Sequence, residues 1–195
     1  MRGPPPLFLG LELPPALGQA LAPLLRQLAA IDPEVRPARA EGLHLTLRFL
    51  GPVELEAQAG IELVASRVAQ ENAAFRLGFQ GLGTFPEGIH PRVIWAAVGE
   101  GQSEVGRLAE VLAGRLAGEG WRPEPRPFRA HCTLARLPER LSARSRAAVA
   151  EVCDRGGAGG PLLMRAETLA LLKSVSVPGG PNRYPRLASW RFQQA

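Results

Sequence analysis

Three histidines occur in this 195-residue chain, and two of them open the same short pattern. Residues 44–51 read HLTLRFLG and residues 131–136 read HCTLAR. In each, a threonine follows the histidine by two positions, and the two copies lie 87 residues apart. A strand alternates its side chains between faces, so His44 shares a face with Thr46, and His131 with Thr133. Each segment therefore presents one imidazole and one hydroxyl from an otherwise apolar strand. By the same alternation Arg48 joins His44 and Thr46. Leu45, Leu47 and Phe49 then point into the core, as do Cys132 and Leu134 in the second copy.

Two imidazoles meeting in one cleft suit acid–base chemistry at a phosphoester. One, neutral, takes a proton from the nucleophile, and the other, as imidazolium, protonates the leaving oxygen. Histidine titrates near neutrality, so both states are accessible. The threonine hydroxyls can donate to non-bridging phosphate oxygens as charge builds. This chemistry needs no metal, and His-x-Thr is not a usual zinc-ligand spacing. The chain has neither a G-x-S-x-G nucleophile elbow nor a Walker loop. A lone strand histidine is more often structural, but matched tetrads in matched contexts favour function. His90, beside Pro91, reads as a solvated turn residue.

The elements that must position these groups follow from periodicity. Residues 7–13, 92–98 and the two histidine segments read as strands, and 75–85 as a strand interrupted by a bulge. Helical spacing marks 16–30, with Pro23 as a kink or first-turn residue, and also 54–70 and 103–118. A fourth helix over 142–154 opens on Ser142, a candidate N-cap. Residues 31–42 read as a loop or edge segment and 122–130 as an extended arm leading into His131. Residues 156–160 form a glycine-rich link, 162–176 are ambiguous by propensity, and 182–192 read as a final strand. Strands mixed with helices predict an α+β fold with helices packed on antiparallel sheets. The repeated tetrad-then-helix order predicts one domain, residues 1–195, of two pseudo-symmetric lobes.

Composition bounds the setting. The apolar fraction is 46% and the charged fraction 21%, typical of a globular domain with one sizeable core. The net charge of +5 and a sequence pI near 10.4 favour an anionic partner such as nucleic acid. Of the 23 basic residues only Lys173 is a lysine. That bias equally fits a GC-rich genome or a hot habitat, although a guanidinium fork also suits phosphate. Two cysteines, Cys132 and Cys153, form no CxxC pair and fit a reducing cytoplasm. Neither a signal peptide nor a membrane span is expected.

The whole pattern resembles the 2H phosphoesterase superfamily, named for two His-x-[Thr/Ser]-x motifs. The closer resemblance is to the bacterial and archaeal RNA 2',3'-cyclic phosphodiesterases, historically called 2'-5' RNA ligases. It rests on LFLGLELPPAL, GLHLTLRFLG, GLGTFP, PRVIWAAV, RPFRAHCTLARL and PGGPNRYPRLASWRF, which together span nearly the whole chain. The resemblance implies a bilobal α+β fold, with two antiparallel sheets around a central cleft and helices on the outer faces. It implies cofactor-free opening of a ribose 2',3'-cyclic phosphate by water, leaving a 2'-phosphate, with reverse 2'-5' joining as a side activity. His44 would be the proton donor to the 3' oxygen and His131 the base, although a pseudo-symmetric pair can exchange roles. Thr46, Thr133 and Arg136 would bind phosphate. Arg136 has the wrong strand parity for the cleft unless the strand bulges near Ala135, and is otherwise a surface arginine. The expected partner is an RNA end, tRNA fragments among the candidates, met by a monomer. A small cyclic nucleotide or ADP-ribose cyclic phosphate, or RNA-end binding without turnover, are the alternatives. Tyr184, Phe85 and Trp95 read as core aromatics or base-stacking residues.

Overall fold

A computed structural model describes residues 3–156 and 162–194. Beyond Gly156, the expected glycine-rich link falls outside the described residues. The chain runs β1 (Pro6–Glu12), α1 (Pro15–Ala29), β2 (Arg36–Pro37), β3 (His44–Pro52), α2 (Leu55–Glu71), β4 (Phe75–Phe85) and β5 (Val93–Val98). It continues α3 (Gln102–Gly118), β6 (His131–Arg136), α4 (Ala143–Asp154), β7 (Leu162–Ala166), β8 (Thr168–Lys173) and β9 (Arg186–Arg191). The expected α+β class holds. Three local readings resolve as follows. The ambiguous 162–176 stretch is two antiparallel-sheet strands, β7 and β8, separated by Glu167. The expected last strand is shorter than 182–192, because Asn182–Pro185 lie outside β9. Pro23 sits inside α1, which begins instead on Pro15.

One sheet, not two, organises the molecule. Its strand order is β7-β4-β5-β6-β3-β1-β8-β9, with β2 added to β6. It divides into two halves of four strands that meet where β3 pairs antiparallel with β6. That seam consists of a single paired position, Leu45 with Cys132. The expectation of two separate sheets is corrected by this continuity, since the histidine strands themselves form the join.

β1 shows why the two faces differ. Leu7, Leu9 and Leu11 alternate into the main core and are at most 1% exposed. Each such burial is worth about 1.5–3 kcal/mol. All four helices contribute to that same core, through residues such as Leu28, Ile61, Leu112 and Val149. Phe8 points to the opposite face and packs with Ala170, Leu172 and Tyr184 in a separate small cluster. So the helices cover one face, and the other carries the histidines.

The seam is braced from the helical side. α1, which leads into β3, packs against β6; α3, which leads into β6, packs against β3. α4 starts at the expected cap: the Ser142 hydroxyl accepts a hydrogen bond from the Ser145 backbone N–H at 3.0 Å. Such a cap is worth about 1 kcal/mol. No helix among the described residues is long and apolar enough to cross a membrane.

Candidate active site

The seam brings the two motifs together. Leu45 opposes Cys132 with antiparallel polarity. Carried one residue either way, that register sets His44 against Thr133 and Thr46 against His131. Directly opposed residues share a face and lie about 4.5–5.5 Å apart at Cβ. The four groups therefore gather on the face away from the helices. All four are half-buried.

Each histidine is held by the same device. His44 Nδ1 lies 2.8 Å from the Gly42 carbonyl oxygen, and His131 Nδ1 lies 2.7 Å from that of Arg129. A carbonyl only accepts, so both Nδ1 atoms carry the proton and each Nε2 is left for the cleft. Aromatic rings complete the two supports. Phe8 and Tyr184 stand 4.7 and 4.4 Å from the His44 ring, centroid to centroid. Phe85 and Trp95 stand 5.0 and 6.1 Å from His131. Tyr184, Phe85 and Trp95 were read as core or stacking residues; here, with Phe8, they are walls that fix the imidazoles.

Burial lowers the pKa of His44 below its ordinary value, against the hydrogen bond to Gly42. The positive charges of His131 and Arg136 lower it further. His131 is lowered by burial too, opposed by its bond to Arg129 and assisted by the charges of Arg129 and Arg136. The unfilled cleft thus favours neutral imidazoles, and an anion placed between them would restore a proton to one. Cys132 is fully buried and its thiol is pushed up to about 12, so it is no nucleophile.

Two bulges decide which arginine reaches this face. Between β5 and β6 the register shifts: Trp95 opposes Thr133, but Ile94 opposes Ala135. The extra residue, Leu134, flips the parity, and Leu134 and Ala135 are both buried. Arg136 thereby joins the His131–Thr133 face, as its expected role required. β1 and β3 carry a matching shift: Gly10 opposes Thr46, but Leu9 opposes Arg48. There the flip has the reverse consequence. Arg48 does not share the His44 face. It lies on the core side beside Leu9 and is only 5% exposed, while Phe49 opposes Phe8 on the cleft side and is 50% exposed. Both expectations for this pair are overturned by one inserted residue.

Buried Arg48 has a task of its own. Its guanidinium donates to the Arg122 carbonyl oxygen and sits 3.7 Å from the Glu124 carboxylate. Glu124 also accepts from the Phe49 backbone N–H at 3.0 Å. Arg48 therefore fastens the arm that delivers His131. Residue 36 was missed by the sequence reading. Arg36 on the two-residue β2 pairs directly with Arg136, and nothing in IDPEVRPAR marks so short a strand. His90 lies in the connection between β4 and β5, outside both motif strands.

The chain has known relatives. The family model described as the 2'-5' RNA ligase superfamily matches residues 13–177. A protein of Archaeoglobus fulgidus named RNA 2',3'-cyclic phosphodiesterase is 31% identical, over 90% of this chain and 94% of its own. An Escherichia coli protein of the same name is 31% identical, over 70% of this chain and 74% of its own. Among solved structures, Escherichia coli LigT complexed with 3'-AMP superposes with a TM-score of 0.77 at 27% identity, covering 98% of this chain and 99% of that one. With most of its length matched, paired motifs included, this chain belongs to the 2'-5' RNA ligase superfamily.

Proposed function

We propose that the protein opens RNA 2',3'-cyclic phosphate ends to 2'-phosphates with two histidines and no metal. The observation that carries this reading is the histidine pair on one face, each Nδ1 bonded to a carbonyl two residues earlier and each Nε2 free. The names of the relatives and the 3'-AMP held by the Escherichia coli structure support the substrate class.

His131 Nε2 takes a proton from water as the water oxygen bonds to phosphorus. The bond from phosphorus to O3' breaks, and His44 Nε2–H gives its proton to that oxygen. Thr46 and Thr133 donate to the non-bridging oxygens, and Arg136 adds a positive charge that grows in value as negative charge accumulates. A 5'-hydroxyl in place of water would give a 2'-5' linkage by the same proton movements. The catalytic groups come from one chain, so a monomer suffices. The matched bulges support reading the chain as one domain of two pseudo-symmetric lobes.

The test uses an oligonucleotide ending in a 2',3'-cyclic phosphate, with EDTA present. Wild-type protein is expected to turn over. His44→Ala and His131→Ala should each lose about 10²–10⁴-fold in kcat. Wild-type inactivity under EDTA, or full rate in both variants, would sink the proposal.

A further inference from the structure

The two motif strands differ at one matching position, and the difference polarises the cleft. Counted from its histidine, Phe49 occupies in β3 the place that Arg136 occupies in β6. Both follow the matching bulge and face the cleft. Their neighbours differ as well. Phe49 is flanked by Glu124, bonded to its backbone N–H. Arg136 is flanked by Arg36, its exposed partner on β2.

Paired arginines occur at both ends, and on the Phe49 side Arg122 and Arg126 of the arm have no carboxylate partner among the described residues. On the Phe49 side, Arg129 pairs with Glu87 at 3.0 Å and Arg48 with Glu124 at 3.7 Å. On the Arg136 side, Glu12 is tied to Arg186 at 3.0 Å and Glu41 to Arg39 at 3.4 Å. That leaves Arg36 and Arg136 with no carboxylate partner among the described residues. Like charges directly opposed on neighbouring strands are destabilising. Together with Thr133, Asn182 and Tyr184 the two arginines line an open pocket. Tyr184 also packs on His44, so this pocket lies on the His44 side, although neither histidine lines it.

We propose that the RNA chain leaves the reacting phosphate across this pocket, with Arg36 contacting the first internucleotide phosphate. The inference rests on the phosphodiesterase reading and adds the direction of the substrate. In-line displacement sets the attacking water and O3' on opposite sides of phosphorus. O3' belongs to the RNA body, so that body must lie on the side of the proton donor. What distinguishes the His44 side is two arginines directly opposed and lining one pocket, which marks it as the side that accepts a polyanion. Reaction geometry ties the RNA body to the proton donor and charge ties it to the His44 side, so together they make His44 the acid and His131 the base. A cyclic mononucleotide has no internucleotide phosphate and gains nothing from Arg36.

The experiment compares kcat/KM for a 2',3'-cyclic mononucleotide and for a hexanucleotide with the same end. Arg36→Ala should lower the oligonucleotide-to-mononucleotide ratio about tenfold, mostly through KM. Arg36→Lys should keep most of the ratio, and Arg144→Ala on α4, removing the same charge elsewhere, should keep all of it. A second arm follows binding of a labelled hexanucleotide 2'-phosphate by anisotropy at several salt concentrations. There Arg36→Ala should reduce the slope of log K against log salt by about 0.7, the value of one single-strand phosphate contact. An unchanged ratio or slope, or equal changes in Arg144→Ala, overturns the proposal. If wild-type protein opens neither cyclic substrate, the phosphodiesterase reading fails instead, and the salt slope alone decides Arg36.

Discussion

Both histidines are pinned by the carbonyl two residues earlier, so Nδ1 carries a proton and Nε2 is the nitrogen left for the proposed chemistry. Burial then lowers both pKa values below the ordinary 6.5. The profile of kcat/KM against pH reports the free enzyme. Its rising limb follows deprotonation of the base and its falling limb deprotonation of the acid. With both groups depressed, the maximum should lie on the acid side of pH 6.5. The positive charge of Arg136 contributes to the lowering of both histidines. Arg136→Gln should therefore move both limbs toward higher pH while reducing the rate. Initial rates from pH 4.5 to 8.5 check this; a single sigmoid, or limbs that stay in place, would count against the pair.

At the scale of elements, the bulges matter more than the strands. A Cβ on Gly10 would stand 2.6 Å from the Leu45 carbonyl oxygen, a backbone atom that cannot swing aside. Gly10 lies at the register shift that turns Arg48 inward. Gly10→Ala should cost about 1–3 kcal/mol by overpacking, read by urea titration, and should lower turnover by displacing the His44 strand. Arg48→Met should cost about 2 kcal/mol from lost charged hydrogen bonds. For a chain of this size that is about 4–8 °C in Tm. Lysine should not rescue it, because one ammonium cannot reproduce the fork that spans the Arg122 carbonyl and Glu124. These positions also mark where sequence reading stops. The histidines, threonines, helix spans and Ser142 cap were legible, because each follows from local period or chemistry. HLTLRFL alternates without a break, so nothing in it announces an extra residue at Leu47. The face of Arg48 was misread for that reason. The same insertion at Leu134 resolved the parity of Arg136. β2 was read only as part of a loop or edge segment because two residues have no period, and the joined sheet was missed because its seam is one residue pair.

For the whole molecule, that narrow seam poses a mechanical question. A single paired position cannot by itself fix the distance between the two motif histidines. The crossing helices answer it, because α1 and α3 each grip the motif strand of the opposite half. Cleft geometry should then depend on helix packing more strongly than global stability does. Leu112 on α3 and Leu77 on β4 are both fully buried leucines. Truncation of either to alanine should cost about 2–5 kcal/mol. Leu112→Ala, on the helix that packs against β3, should also lower kcat at 25 °C, well below its melting point. Leu77→Ala, in a strand next to the far edge of the sheet, should melt earlier yet keep its kcat while folded. Paired melting curves and initial rates on a cyclic-phosphate substrate separate the two. Equal loss of kcat in both variants would mean that the seam holds the histidines without help from the helices.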